Sequence, residues 1–169
     1  MTVIANTTII SNFASVGRLD ILKDLLGQLY ITTEVYAEIQ DGLAEGYDFY
    51  IGIESHMYPL VSDGWLHLTS LEGEEELCIF SHMPAALHRG EASCLAVAVR
   101  RGMAFLTDDA RARSVARELQ VVVSGTLGIL VRAVTEEHLS LEVADSVLNQ
   151  MIKAGYHSPY GTLAGLLTR

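Results

Sequence analysis

Five residues, at four places in the sequence, are candidates to bind a divalent cation through side-chain oxygens. Asp108 and Asp109 follow the apolar run "MAFLT", Asn6 follows the apolar run "TVIA", and Glu38 and Glu91 lie in segments of helical spacing. Clustered carboxylates repel one another unless a cation lies among them. All-oxygen ligands suit Mg²⁺ or Mn²⁺, and such ions can activate a water for phosphodiester cleavage. These residue types therefore predict metal-dependent phosphodiester hydrolysis.

Most of these residues also have a plain structural interpretation. Asn6 could hold a turn, Asp108 could cap a helix, and Glu91 could be a first-turn acid that the helix dipole favours. Glu38 is harder to explain in this way, because it interrupts an apolar stripe. The joint placement of the residues, more than any one of them, indicates a site.

The hydrophobic pattern predicts an α/β fold with a mainly parallel central sheet. Short β-branched runs alternate with longer segments of helical period, which is typical of parallel strands joined by crossover helices. Sites in open α/β sheets form at the carboxyl ends of the strands. Asn6 and the pair Asp108–Asp109 are thus expected at one edge. Strands are predicted at "TVIA", "QLYIT", "GWLHLTSL", "MAFLT" and "VVVS".

Two local predictions concern the first half of the chain. Thr33 is expected to cap the helix that follows the second strand. Residues 44–60 show amphipathic helical spacing, so a further helix that carries Tyr47, Tyr50 and Tyr58 is predicted there.

Length and composition limit the class of protein. The 169 residues suffice for a single domain, predicted to span residues 1–169, and no apolar run is long enough to cross a membrane. The first residues lack the basic region of a signal peptide, so a cytoplasmic location is expected. The net charge of −10 argues against a basic coat for nucleic acid. It is compatible with an acidic, cation-binding centre that has a local basic patch.

A basic patch is predicted directly behind the paired aspartates. Arg111 and Arg113 lie on the helix that begins there, and we interpret them as candidate contacts to the phosphates of a nucleic-acid backbone. The alternative is a solvated helix face that pairs with acids such as Glu118. Thr7 and Thr8 follow Asn6 and could contact the same substrate or orient ligands, although helix capping explains them equally well.

The sequence resembles the PIN-domain family, and in particular the subgroup that resembles VapC-type toxins and carries "RLDLL" and "GTLG" segments. The matching segments cover nearly the whole chain in order, and residues 44–85 match least. The resemblance implies a three-layer α/β/α sandwich that cleaves RNA with Mg²⁺ or Mn²⁺. It also implies a small antitoxin partner and a homodimer. The matches are "VIANTTIISNFASVGRLDIL", "YITTEVYAEI", "HRGEASCLAVAVRRGMAFLTDDARARSVARELQVVVSGTLGIL" and "IKAGYHSPYGTLAGLL".

The resemblance also implies roles for the five residues. The family's first acid falls on Asn6, its second on Glu38 and its third on Glu91, and its fourth falls on Asp109 with Asp108 as the close alternative. Catalysis is accordingly expected from the four carboxylates, and metal binding from those four together with Asn6. In the third motif, the family's second glutamate is replaced by Ser93.

Two hypotheses about function follow. The first is a metal-dependent ribonuclease that forms the toxin half of a toxin–antitoxin pair. The second is an attenuated or inactive PIN fold that acts by binding RNA or a protein, which the neutral residues Asn6 and Ser93 favour. An inactivating substitution at position 6 would produce the same pattern.

Overall fold

The computed structural model describes residues 1–168, in which six strands form one sheet. The strands lie side by side in the order β3-β4-β2-β1-β5-β6, and every adjacent pair is parallel. The predicted three-layer α/β/α fold around a parallel sheet is confirmed. The strands are β1 (Val3–Ala5), β2 (Leu29–Thr32), β3 (Met57–Tyr58), β4 (Leu66–Thr69), β5 (Ala104–Leu106) and β6 (Val123–Ser124).

Helices connect the strands and cover the sheet. Helix α5 packs against α3, α4 and α6, whereas α7 packs against α2 and α8. None of the helices in residues 1–168 has the length and apolar character required to span a membrane. The α-helices are α1 (Thr7–Ala14), α2 (Leu19–Leu26), α3 (Thr33–Ala44), α4 (Gly73–Ser81), α5 (Arg89–Arg101), α6 (Ala110–Glu118), α7 (Thr126–Thr135), α8 (Leu141–Lys153) and α9 (Ala164–Leu167).

The core lies around the two central strands. Every residue of β1 and of β5 is buried, and Ile4 stands beside Phe105 in register. The fully buried side chains of Ile9 and Phe13 extend this core along α1. Residues 90–98 of α5 are buried as well. The carboxyl ends of β1 and β5 are therefore fixed next to each other, which brings residue 6 close to residues 107–109.

The prediction of a helix over residues 44–60 is wrong. Two single 3₁₀ turns, Asp48–Tyr50 and Ile53–His56, stand there instead, followed by β3. Gly46 and Gly52 have φ values of 96° and 83°, in the left-handed region that interrupts a right-handed helix. The helical spacing of the apolar residues arises from turns that expose Tyr47 and bury Tyr50.

The start of α3 also differs from the prediction by one residue. The side chain of Thr32, and not that of Thr33, accepts the hydrogen bond from the Val35 N–H, at 3.2 Å. Thr32 has extended backbone angles, as an N-cap residue requires. Threonines at both positions made the two alternatives indistinguishable in the sequence.

A clamp of charged groups holds α4 against α5. The Arg101 guanidinium donates from Nε to Glu76 Oε1 at 2.7 Å and from Nη2 to Glu76 Oε2 at 2.8 Å. It also donates to Thr69 Oγ1 and to the Ser70 carbonyl, both at 2.8 Å. Glu76 is buried, so its charge depends on this bidentate pairing.

We expect Glu76→Gln to lower the free energy of unfolding at neutral pH by about 2–3 kcal/mol, because hydrogen bonds to charged groups are lost. The hydrogen bonds from Arg101 lower the pKa of Glu76 below its ordinary value of 4.5. The stabilisation is therefore present above that pH and is lost as the pH falls through the folded-state pKa. Urea denaturation of both proteins at neutral and acidic pH measures the difference.

Glu75→Gln is the matched control, because Glu75 pairs with Arg100 at the surface. Exposed pairs contribute little, and a change below about 1 kcal/mol is expected. Equal losses in the two variants, or a Glu76 effect that persists at acidic pH, would contradict the clamp.

Candidate active site

Asn6 joins the carboxyl ends of β1 and β5. Its backbone N–H donates to the Leu106 carbonyl at 3.2 Å, which continues the pairing of the two strands by one residue. Its side-chain Nδ2 donates to Thr107 Oγ1 at 2.8 Å. Both side chains are buried, so this bond satisfies polar groups that are shielded from water.

The orientation of the Asn6 amide is set by helix α1. Asn6 is the N-cap of that helix, and its Oδ1 accepts from the Ile9 N–H at 3.4 Å. Rotating the amide by half a turn would direct the NH₂ group at this N–H and lose the cap. Nδ2 is consequently directed at the site, where Glu91 Oε1 lies 3.4 Å away.

Glu91 is the most buried of the candidate carboxylates, with 6% of the residue exposed. It lies in the first turn of α5, and its Oε2 accepts from the His88 N–H at 3.0 Å. Burial raises the pKa of Glu91 above its ordinary value, and the charges of Asp109 and Glu38 raise it further, whereas the His88 N–H opposes the shift. The charged form of Glu91 is therefore disfavoured in the folded protein.

Glu38 reaches this place from α3. Its Oε1 accepts from the Gly90 N–H at 2.9 Å, and its Oε2 accepts from the Thr7 hydroxyl. A Cβ atom on residue 90 would lie 2.6 Å from Glu38 Oε2, so this approach requires glycine there. Glu38 and Glu91 both face the amino-terminal turn of α5, where the helix dipole favours negative charge.

The adjacent aspartates have separate partners. Asp109 caps α6, because its Oδ1 accepts from the Ala112 N–H at 2.8 Å. Asp108 accepts at Oδ1 from the Thr126 N–H at 2.9 Å and at Oδ2 from Asn12 Nδ2 at 3.0 Å. The capping role considered for Asp108 belongs to Asp109, and Asp108 links β5 to α1 and α7.

The candidate RNA-contacting residues are distributed over this edge. Arg111 is exposed in the first turn of α6. Arg113 is half-buried and donates from Nη1 to the Thr107 carbonyl at 3.0 Å. Thr7 donates to Glu38, and Thr8 Oγ1 lies 3.5 Å from Asn6 Nδ2. The two threonines thus take part in the hydrogen bonds around the carboxylates.

Three residues of this network, Thr107, Asn12 and Thr126, were not predicted from the sequence to be site residues. Thr107 Oγ1 accepts from both Asn6 Nδ2 and the Asp109 N–H, at 2.8 and 3.1 Å. Asn12 donates to Thr126 Oγ1 at 3.0 Å as well as to Asp108. The available signal was Asn12 itself, a polar residue one position from the buried Phe13 of α1.

Ser93 has its hydrogen-bond partners away from the side chains of the candidate carboxylates, in Gly90 and Thr32. Its hydroxyl donates to the Gly90 carbonyl at 2.9 Å and lies 2.7 Å from Thr32 Oγ1. The residue is fully buried between α5 and the end of β2. The serine hydroxyl therefore provides a hydrogen-bond partner for the Gly90 carbonyl and the Thr32 hydroxyl.

The side-chain oxygens of Glu38, Glu91 and Asp109 are the type of ligand that hard divalent ions prefer. Within residues 1–168, no three His, Cys, Asp or Glu side chains are close enough to hold one ion. The carboxylates of Glu38, Glu91 and Asp109 nevertheless keep lone pairs beyond those that accept N–H and O–H groups, and a cation would relieve the raised pKa of Glu91. The Asn6 Nδ2 group opposes a cation, because it directs N–H hydrogens at Glu91.

Comparison with known proteins identifies the family. The family model described as DUF3368, a PIN domain, matches residues 2–169. The chain therefore belongs to this family and has a nuclease-type fold. No curated protein and no solved structure matches it. The prediction of a single domain over residues 1–169 and the VapC-type subgroup stay predictions.

We expect Gly125→Ala to destabilise the protein by about 1–3 kcal/mol, the usual cost of forcing atoms into a packed site. The new Cβ would lie 2.4 Å from Asp108 Oδ1, 3.0 Å from Arg113 Nη1 and 3.1 Å from the Thr107 carbonyl oxygen. Thermal denaturation measures the loss. In the control Gly161→Ala, the Cβ meets nothing within 4 Å, and equal melting shifts would contradict the tight packing around Asp108.

Proposed function

We propose that the chain is a divalent-metal-dependent endoribonuclease that hydrolyses RNA phosphodiester bonds. The observation that carries the proposal is the placement of Glu38 and Glu91 at one turn of α5, where they accept the Gly90 and His88 N–H groups, beside Asn6 and the Thr107–Asp109 turn. Neighbouring carboxylates repel one another unless a cation lies among them, so this placement favours a cation-dependent site. The position at the carboxyl ends of central parallel strands is where such folds hold their sites.

Each residue has a distinct role in this proposal. Glu38, Glu91 and Asp109 are the candidate ligands for Mg²⁺ or Mn²⁺, and their carboxylates would have to move closer together to share one ion. Such an ion would supply an activated water and stabilise the leaving oxygen. Thr7 and the Gly90 N–H orient Glu38, and the His88 N–H orients Glu91.

Asp108 serves the site from a neighbouring position. Its carboxylate accepts from Asn12 and from the backbone and hydroxyl of Thr126. These bonds secure the turn from which Asp109 projects, so Asp108 acts by positioning.

Arg111 is the proposed contact to the RNA backbone. It is exposed at the start of α6, two residues beyond Asp109. A phosphate that reaches the carboxylates would pass close to this guanidinium, and such contacts contribute salt-dependent affinity.

The second candidate function, an attenuated fold that binds RNA or a protein without cleaving, is favoured by Asn6. Its Nδ2 faces Glu91 at 3.4 Å, which supplies the partial positive charge that a cation would otherwise bring. A neutral amide also contributes less than a carboxylate to holding a divalent ion. Asn6 therefore controls whether the site is active.

We expect Asn6→Asp to raise the rate of RNA cleavage in Mn²⁺ by about 10- to 100-fold, the range over which groups around a metal ligand change activity. Cleavage should stop in chelator. Mn²⁺ should also raise the melting temperature of Asn6→Asp more than that of the parent, since a ligand stabilises in proportion to its affinity. Gel assays of labelled RNA and thermal melts measure the two effects.

Asn149→Asp is the matched control, because it adds the same charge at an exposed position on α8. Adding Glu91→Gln to Asn6→Asp should abolish both effects. Cleavage by Asn6→Asp alone would mean that this chain is a disabled nuclease. Absence of cleavage by both parent and Asn6→Asp would remove the enzyme proposal and leave the binding function.

We also propose that the protein is a toxin that forms a homodimer and binds a small antitoxin, as its resemblance to VapC-type toxins implies. The apolar side chains of Ile51, Tyr58 and Leu60 are exposed. Protein partners commonly cover exposed apolar surface. The cytoplasmic location expected from the sequence stays a prediction.

The dimer can be tested directly in solution. We expect sedimentation equilibrium at micromolar concentration to give twice the chain mass of 18.4 kDa, and Ile51→Asp to shift the population towards monomer if this surface forms the contact. The exposed substitution Val143→Asp on α8 is the control. A monomeric parent would contradict the homodimer.

A further inference from the structure

A separate cavity lies beside the candidate active site. It has a volume of about 350 Å³, which is within the range of small-ligand pockets. Asp108 forms part of its wall and is the residue that precedes Asp109. The other polar and aromatic residues of the wall are Arg113, Ser124, Tyr156 and His157.

The wall of this cavity is held in place by internal contacts. Arg113 Nη1 donates to the Thr107 carbonyl at 3.0 Å, which fixes the guanidinium. Burial raises the pKa of Tyr156, and the charge of Asp108 raises it further, whereas Arg113 opposes the shift. Tyr156, Asp108 and Arg113 line the same cavity.

The composition of the wall disfavours a simple anion. The Thr126 N–H, at the amino-terminal turn of α7, is already taken by Asp108 at 2.9 Å. The Asp108 carboxylate would repel a phosphate, and Leu127 and Pro159 add apolar surface. Donors, acceptors and apolar area side by side suit a neutral, flat heterocycle.

We propose that this cavity is a subsite for one unstacked base of single-stranded RNA. The inference rests on the proposed function, because the cavity and the carboxylates share the Asp108–Asp109 turn. Proteins bind single-stranded RNA by inserting bases against aromatic rings and guanidinium planes. Arg113 thus reads a base, whereas Arg111 contacts the backbone.

The test uses amide NMR spectra of the full chain in chelator. The chain is titrated separately with the four nucleoside monophosphates, with ribose 5-phosphate and with inorganic phosphate. We expect at least one nucleotide to shift the signals of Gly125, Gly128 and His157. That nucleotide should bind roughly 5-fold or more tightly than ribose 5-phosphate, since stacking of one base contributes about 1–3 kcal/mol.

Two variants on helix α6 separate recognition of the base from the general effect of positive charge. Arg113→Ala should abolish the preference for a nucleotide over ribose 5-phosphate, and Arg117→Ala, which removes the same charge from an exposed position on α6, should retain it. His157 is exposed, so His157→Ala provides a second variant that does not depend on core packing and should weaken nucleotide binding.

Three outcomes would overturn the subsite. These are equal binding of ribose 5-phosphate or inorganic phosphate, no shift of the three signals at millimolar nucleotide, and equal losses in Arg113→Ala and Arg117→Ala. The titrations are made in chelator, which prevents cleavage. Their result therefore does not depend on whether the chain cleaves RNA. Base-independent binding would overturn the subsite without affecting the nuclease proposal.

Discussion

The hydrogen bond between the Asn6 amide and the Thr107 hydroxyl is the contact on which the site depends. It joins the ends of β1 and β5 inside the protein, where neither group has access to bulk water. Thr107 in turn accepts from the Asp109 N–H, and Asn6 lies against Glu91. One buried pair thereby links α1, α5 and α6 at this edge of the sheet.

The arrangement of charge shows how the fold tolerates three converging carboxylates. Glu38 and Glu91 accept N–H groups from the amino-terminal turn of α5, and Asp109 accepts one from α6. Helix amino termini thus compensate part of the negative charge. The neutral Asn6 lowers the repulsion further, which favours the folded protein without a cation and weakens its attraction for one.

The two aspartates that follow β5 have different hydrogen-bond partners. Asp108 accepts from groups of α1 and α7, whereas Asp109 caps α6 and its charge raises the pKa of Glu91. The tight turn at Gly125 allows this division, because a side chain there would collide with Asp108. The same turn forms one wall of the cavity in which we place an RNA base.

The sequence by itself determined the parallel α/β fold and the family, because the periodicities of strands and helices are local. It also determined the edge at which Asn6 and Asp109 lie, because parallel strands all end on one side of the sheet. It misplaced residues 44–60, where glycines with left-handed backbone override helical spacing. Only the tertiary structure decided that Ser93 bonds to Gly90 and Thr32, that Asp108 is held by Asn12 and Thr126, and that the Asn6 nitrogen faces Glu91. These outcomes depend on side-chain directions between elements distant in sequence, which no local pattern encodes.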